Sequence, residues 1–177
     1  MLSDARSFWS LSNVPLGGCG SARRSADSDT MTTEERHRHF FEVVNPRLDT
    51  LGRLICEASA IGDHVLGETR YAELLAFYDE QVTLGYWHPG LTESVADFTA
   101  ARDAAAALPY YVQALDQARA LDAETHTILI WMAECLFKLG QREQAEACLR
   151  DGRAESVRRE ETDYVQEADR VLREASA

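Results

Sequence analysis

The chain has 177 residues, 45% of them hydrophobic, and a formal net charge of −12. That is enough for one domain with a real core, and no stretch approaches the roughly 18 uninterrupted apolar residues that would suit a membrane span. Residues 1–30 hold three Arg and three Asp, so residues 31–177 carry the whole surplus, 15 basic side chains against 27 acidic. Such a domain repels phosphate backbones, which argues against nucleic acid as a partner.

Lys138 is the only lysine, a bias of the kind that GC-rich coding produces. The cysteines stand at positions 19, 56, 135 and 148 with no C-x-x-C pair, so neither a zinc ribbon nor a thioredoxin-like motif is indicated. Cys135 and Cys148 lie among apolar neighbours and read as free buried thiols in a reducing, bacterial cytoplasm.

Residues 1–32 are rich in Ser, Gly, Asp and Arg and show no sustained period, so a disordered tail or a mis-annotated upstream segment is expected. Leu16-Gly17-Gly18-Cys19 looks like a lipoprotein cleavage box, but the stretch before it is broken by Ser, Asn and Pro and its start is not basic. Met31-Thr32-Thr33-Glu34-Glu35 makes a proper helix beginning, with Thr to cap and acids in the first turn.

From residue 33 to 177 the pattern predicts a single all-α domain. A short helix over 33–44 presents Phe40, Val43 and Val44 on one face and stops at Asn45-Pro46. The next carries the stripe Leu48, Leu51, Ile55 and Ala58 and ends at Gly62-Asp63. Residues 69–84 follow with Tyr71, Leu74, Leu75, Tyr78 and Val82 inward, then an aromatic turn, Tyr86 to Gly90. A helix over 91–102 turns in Leu91, Val95 and Phe98. One over 104–121 turns in Ala107, Tyr111, Ala114, Ala118 and Leu121, with Pro109 tolerable only in its first turn. Helices near 125–139, 142–155 and 160–175 complete the chain, the last striped by Tyr164, Ala168 and Leu172.

Self-similarity separates a helical repeat from a plain bundle. Tyr78 and Tyr111 stand 33 residues apart in matching contexts, and Ala107 and Ala145 stand 38 apart. The best unit is Leu129 to Leu149. Leu129, Met132, Ala133 and Leu136 fill its first helix, Leu139 and Gly140 its turn, and Ala145, Leu149 and Gly152 its second. The small residues let helix axes approach, and the leucines fill the space beside them. In the unit before, Ser94 and Val95 stand where Leu and a small residue are expected. These residues resemble the tetratricopeptide repeat, over about residues 65–155 and about three degenerate units. The resemblance implies antiparallel helical hairpins stacked as a short solenoid, a non-catalytic adaptor that binds a protein or peptide segment in a concave groove. It also implies the groove residues: Thr127, Ile130, Glu134, Phe137 and Lys138 in the best unit, and Thr92, Ala96 and Thr99 in the one before.

No nucleophile elbow, phosphate loop or H-E-x-x-H stands in the chain. No catalytic residue, metal ligand or cofactor is assigned. His37 and His39 point apart on one helix, His64 and His88 lie in turns, and His126 lies near a helix start. A groove of apolar and acidic side chains suits an amphipathic or basic segment. Two rivals stand beside the adaptor. One is a dedicated inhibitor or chaperone of the immunity or secretion type. The other is a helical-bundle enzyme or metal protein, which would need His37 or His39, His64 and acids to converge. With residues 33–44 and 160–175 as end caps, a monomer is expected rather than a homodimer.

Overall fold

Every element of residues 31–175, the stretch that the computed structural model describes, is helical. Helix α1 (Thr33–His39) runs through a π-helical segment, Phe40–Val44, into α2 (Asn45–Ala60). Then come α3 (His64–Thr83), α4 (Pro89–Ala100), α5 (Ala104–Ala120), α6 (His126–Lys138), α7 (Arg142–Arg158) and α8 (Thr162–Glu174). They lie within a unit spanning Met31–Ala177. The readings for residues 1–30, including the cleavage box and Cys19, fall outside the described residues.

Thr32 caps α1 in a full capping box with Glu35. The break expected at Asn45-Pro46 is replaced by a continuous helix. Its π segment opens just before the proline, where Asn45 N–H donates to the Phe40 carbonyl. The wider turn gives room to a ring that lacks an N–H and crowds the preceding carbonyls. It also rotates Val43 out of the core: Phe40 and Val44 are buried, whereas Val43 is 54% exposed.

Five helices end on one device. Residues 62, 85, 122, 140 and 160 have positive φ. In the turn after α6, Gly140 N–H donates to the Phe137 carbonyl at 3.0 Å and Gln141 N–H to the Leu136 carbonyl at 2.9 Å. This Schellman pattern recurs after α2, α3, α5 and α7. Glycine fits the left-handed position, yet Asp122 and Glu160 hold it at φ 52° and 62°. The α4–α5 turn, residues 101–103, lacks it.

Helices α4 and α5 form one close hairpin and α6 and α7 another, with α8 lying on α6 and α7. Ala133, Ala145 and Gly152 are buried at the second hairpin's seam. A Cβ on Gly152 would stand 3.0 Å from the His126 carbonyl oxygen and 3.1 Å from Ile130. In α4 the equivalent large–small pair is Val95-Ala96, both wholly buried. It lies 37 residues before Met132-Ala133, one position along from the expected Ser94-Val95. Pro109 sits in the second turn of α5 rather than its first. Both it and Ala105, whose carbonyl it leaves unbonded, are exposed, so solvent reaches that carbonyl.

The core has two parts. One gathers Phe40, Leu51, Leu74, Tyr78 and Leu91 with their neighbours. The other gathers Tyr111, Ile128, Ile130, Met132, Leu149 and Val171. Tyr110 packs against both. Two stripe positions are corrected: Val82 is 47% exposed, and in α8 Val171 is buried where Leu172 was expected. The expected thiols hold, since Cys135 and Cys148 are free and buried. Burial pushes them up to about 11 and about 12, which makes them inert packing groups.

Candidate protein-interaction face

The first helices of the two hairpins, α4 and α6, neighbour one another, and α8 follows on the far side of α6. Two depressions run along this face. One, of about 400 Å³, is lined by Asp97, Ala100, Ala101, Tyr111, Trp131, Glu134, Cys135 and Lys138. The other, of about 240 Å³, is lined by Glu134, Phe137, Lys138, Val171, Glu174 and Ala175. Glu134 and Lys138 belong to both, so the two form one trough along α6.

Thr127, Glu134 and Phe137 are half-buried and Lys138 is exposed. Glu134, Phe137 and Lys138 line the trough. The other four expected residues do not form surface. Ile130 and Ala96 are wholly buried, and Thr92 and Thr99 are nearly so. The Thr92 hydroxyl donates to Gln117 of α5 at 2.8 Å, and the Thr99 hydroxyl pairs with Tyr71 of α3 at 2.8 Å. For the three in α4 the cause is a one-residue shift of register: one residue on a helix is a rotation of about 100°. The open side of α4 is therefore Glu93, Asp97 and Ala100. Reading Val95-Ala96 as the partner of Met132-Ala133 would have found it. Trp131, half-buried in the trough, was also missed as a lining residue.

The charges of this face are held in distinct states. Asp97 is exposed as a residue, but its carboxyl turns into the trough and accepts from the buried Tyr111 hydroxyl at 2.6 Å. Desolvation there pushes the carboxyl up to about 6, with the Tyr111 bond working against it. Glu93 is pushed up to about 7, first by burial and also by Asp97, with a Thr127 hydrogen bond opposing. Burial works to raise Glu134 too, but the Lys138 ammonium at 2.8 Å and the Arg170 guanidinium at 3.2 Å overcome it and hold it low. Arg170 is itself tied to Glu167 and Glu174 along α8. Trp131 and Phe137 are thus set among carboxylates, with Lys138 at the rim.

The helical-bundle alternative required His37 or His39, His64 and acids to meet. Among the described residues, the one group of three or more potential metal ligands is Glu124, His126 and Glu161. His37 Nδ1 and His88 Nε2 are hydrogen-bonded at 2.9 Å, and His39 lies edge-on to Tyr86. Gly90 N–H donates to His88 Nδ1, so in the neutral ring Nε2 carries the proton and gives it to His37. These imidazoles knit α1 to the start of α4. Among the described residues, no helix is long and apolar enough to cross a membrane.

Residues 98–161 match the tetratricopeptide repeat family. The matched stretch runs from the end of α4 through α7, where the small-residue seam is best formed. Neither the curated proteins nor the solved structures gave a match.

Proposed function

We propose that this tetratricopeptide-like helical repeat is a non-catalytic interaction module that takes a basic, amphipathic protein segment along the α4–α6–α8 face. The observation that carries the reading is the trough along α6. It pairs two large rings, Trp131 and Phe137, with carboxylates on either side. Half-buried aromatics on a rigid scaffold supply contact area at low entropic cost, and the carboxylates select a basic partner. The family match supports protein binding in general, and its members are typically without catalysis. With α8 over the last hairpin as a cap, the module acts as a cytoplasmic monomer.

Fluorescence polarisation against amphipathic peptides, basic and charge-inverted, tests this reading. The basic peptides should bind, and Trp131→Ala or Phe137→Ala should weaken them about ten-fold or more. Glu134→Lys should weaken them further and improve the acidic set. Binding that ignores both aromatic substitutions would remove the trough from the account. Affinity should also rise between about pH 5 and 8, as Asp97 and Glu93 ionise from values of about 6 and about 7.

A further inference from the structure

His126 opens α6 and is 1% exposed, and neither of its ring nitrogens has a hydrogen-bond partner. A buried imidazole normally satisfies at least one nitrogen, at a cost of about 1–3 kcal/mol when it does not. Glu161 Oε2 stands only 2.6 Å from His126 Nε2 but off the line of an N–H bond, so the contact is close without being a hydrogen bond. Glu124 brings a third donor, and the ligand atoms of the three residues lie within 4.8 Å of one another.

The charge around this ring is out of balance. Glu124, Glu155 and Glu161 surround it, with Glu155 Oε1 at 3.9 Å from Nδ1. Arg159 is the cation paired there, 2.6 Å from Glu124 and 3.2 Å from Glu155. Glu155 is otherwise engaged, accepting from both the hydroxyl and the backbone N–H of Thr125. Three carboxylates face one guanidinium around the ring. The Tyr164 ring packs edge-on against His126, 4.9 Å between ring centres.

We infer that Glu124, His126 and Glu161 form a binding site for one divalent transition-metal ion of the zinc class. An imidazole with two carboxylates is a donor set for zinc rather than for magnesium or calcium, which prefer oxygen alone. Tetrahedral donors about 2.1 Å from one centre stand about 3.4 Å apart, so the close His126–Glu161 pair opens and the wider separations close by side-chain movements of about 1 Å. Glu161 and Glu124 reach the ion from flexible stems, and His126 stays fixed by α6. The positive charge of the ion suits a pocket in which three carboxylates face one guanidinium.

The ion would join three places: the loop before α6, the first residue of α6 and the residue that precedes α8. Glu161 caps α8 without a side-chain capping bond, and Glu160 beside it holds a left-handed turn. The metal therefore fastens the start of the terminal helix to the last hairpin. This site is distinct from the trough and stands or falls without it.

Titration of the full, untagged chain with Co²⁺ and Zn²⁺ tests the inference. One Co²⁺ per chain should bind with weak visible absorption and no thiolate charge-transfer band, and Zn²⁺ should raise the melting temperature. Glu161→Gln and Glu124→Gln, both at accessible positions, should each weaken binding about 100-fold while helical circular dichroism is unchanged. Glu143→Gln, on the exposed start of α7, should bind as the parent does. The absence of stoichiometric binding, a thiolate band pointing to Cys56, or full affinity in the two glutamine variants would each overturn it.

Discussion

The helices before residue 96 and those after it solve the same problem in different ways. The later half, α5 to α8 with the end of α4, is built on small residues. Ala107, Ala114, Ala133, Ala145 and Gly152 let helix backbones come close, and Tyr111, Ile130 and Leu149 fill the gaps. The earlier half is built on rings. Phe40 stacks on His88 at 3.9 Å, His37 bonds to His88, and buried Arg36 lies over Trp87 at 4.1 Å. A π-helical segment and a proline shape its first helix. A repeat family constrains backbone approach, so the later half carries a recognisable pattern. The earlier half reaches the same hairpin-like packing with side chains that no periodic rule requires.

The largest expected effect breaks the small-residue half. Gly152→Ala drives a methyl against the His126 carbonyl, which is backbone and cannot swing away. Urea denaturation should show a loss of about 1–3 kcal/mol. Gly90→Ala meets the Phe40 ring instead, at 2.5 Å from Cζ. That ring is a side chain, so the ring-built half should yield more cheaply. A larger loss at Gly90 than at Gly152 would reverse the contrast.

Acid should divide the two halves next. His88 is pushed down to about 3 by burial and by the neighbouring His37 and Arg36, from an ordinary 6.5. The unfolded chain therefore takes up this proton first, and stability from His88 is lost as pH falls from about 6.5 toward 3. Glu93 and Asp97 shift the other way, to about 7 and about 6. The folded chain binds their protons first, so their contribution grows as pH falls from about 7 toward 4. The trends oppose each other, leaving a net change of about 1 kcal/mol between pH 7 and 5. Amide exchange corrected for pH resolves them: α1 should open more readily at pH 5, and the α4–α6 contact less readily. Equal change in both would show that the titrating groups do not act locally.

How much of this was legible in the sequence follows the same divide. Ala133, Ala145 and Gly152 were readable as close-approach positions because nothing larger fits between the helices. The stripe of α2 was readable because its period is regular. The π segment was not, since a proline after Asn reads as a stop until tertiary packing is known. The site was half legible. In α6, Glu134, Phe137 and Lys138 were placed on the open face. In α4 a one-residue error of register turned Glu93, Asp97 and Ala100 into Thr92, Ala96 and Thr99. The register differs because Ala96 and Ala107 stand 11 residues apart across the α4–α5 turn, which lacks the left-handed residue, while Ala133 and Ala145 stand 12 apart across the α6–α7 turn. His126 was seen only as a residue near a helix start, because Glu161, the acid nearest its ring, comes from another turn 35 residues on.

The smallest effect sharpens the turn device that both halves share. Glu160 holds φ at 62° where Gly62, Gly85 and Gly140 serve elsewhere. Glu160→Gly should raise stability by about 0.5–1 kcal/mol, read as a higher melting temperature. A loss would mean that the Glu160 side chain contributes more than its backbone costs.

The central claim is that the face of α4, α6 and α8 is where a partner lies. Heteronuclear NMR of the chain with a saturating basic amphipathic peptide tests it most directly. The account predicts that the Trp131 indole N–H and the amides of Glu134, Phe137 and Lys138 shift together with those of Asp97 and Val171, while the exposed sides of α5 and α7 stay still. Shifts centred on α5 and α7, with the Trp131 indole unmoved, would contradict it.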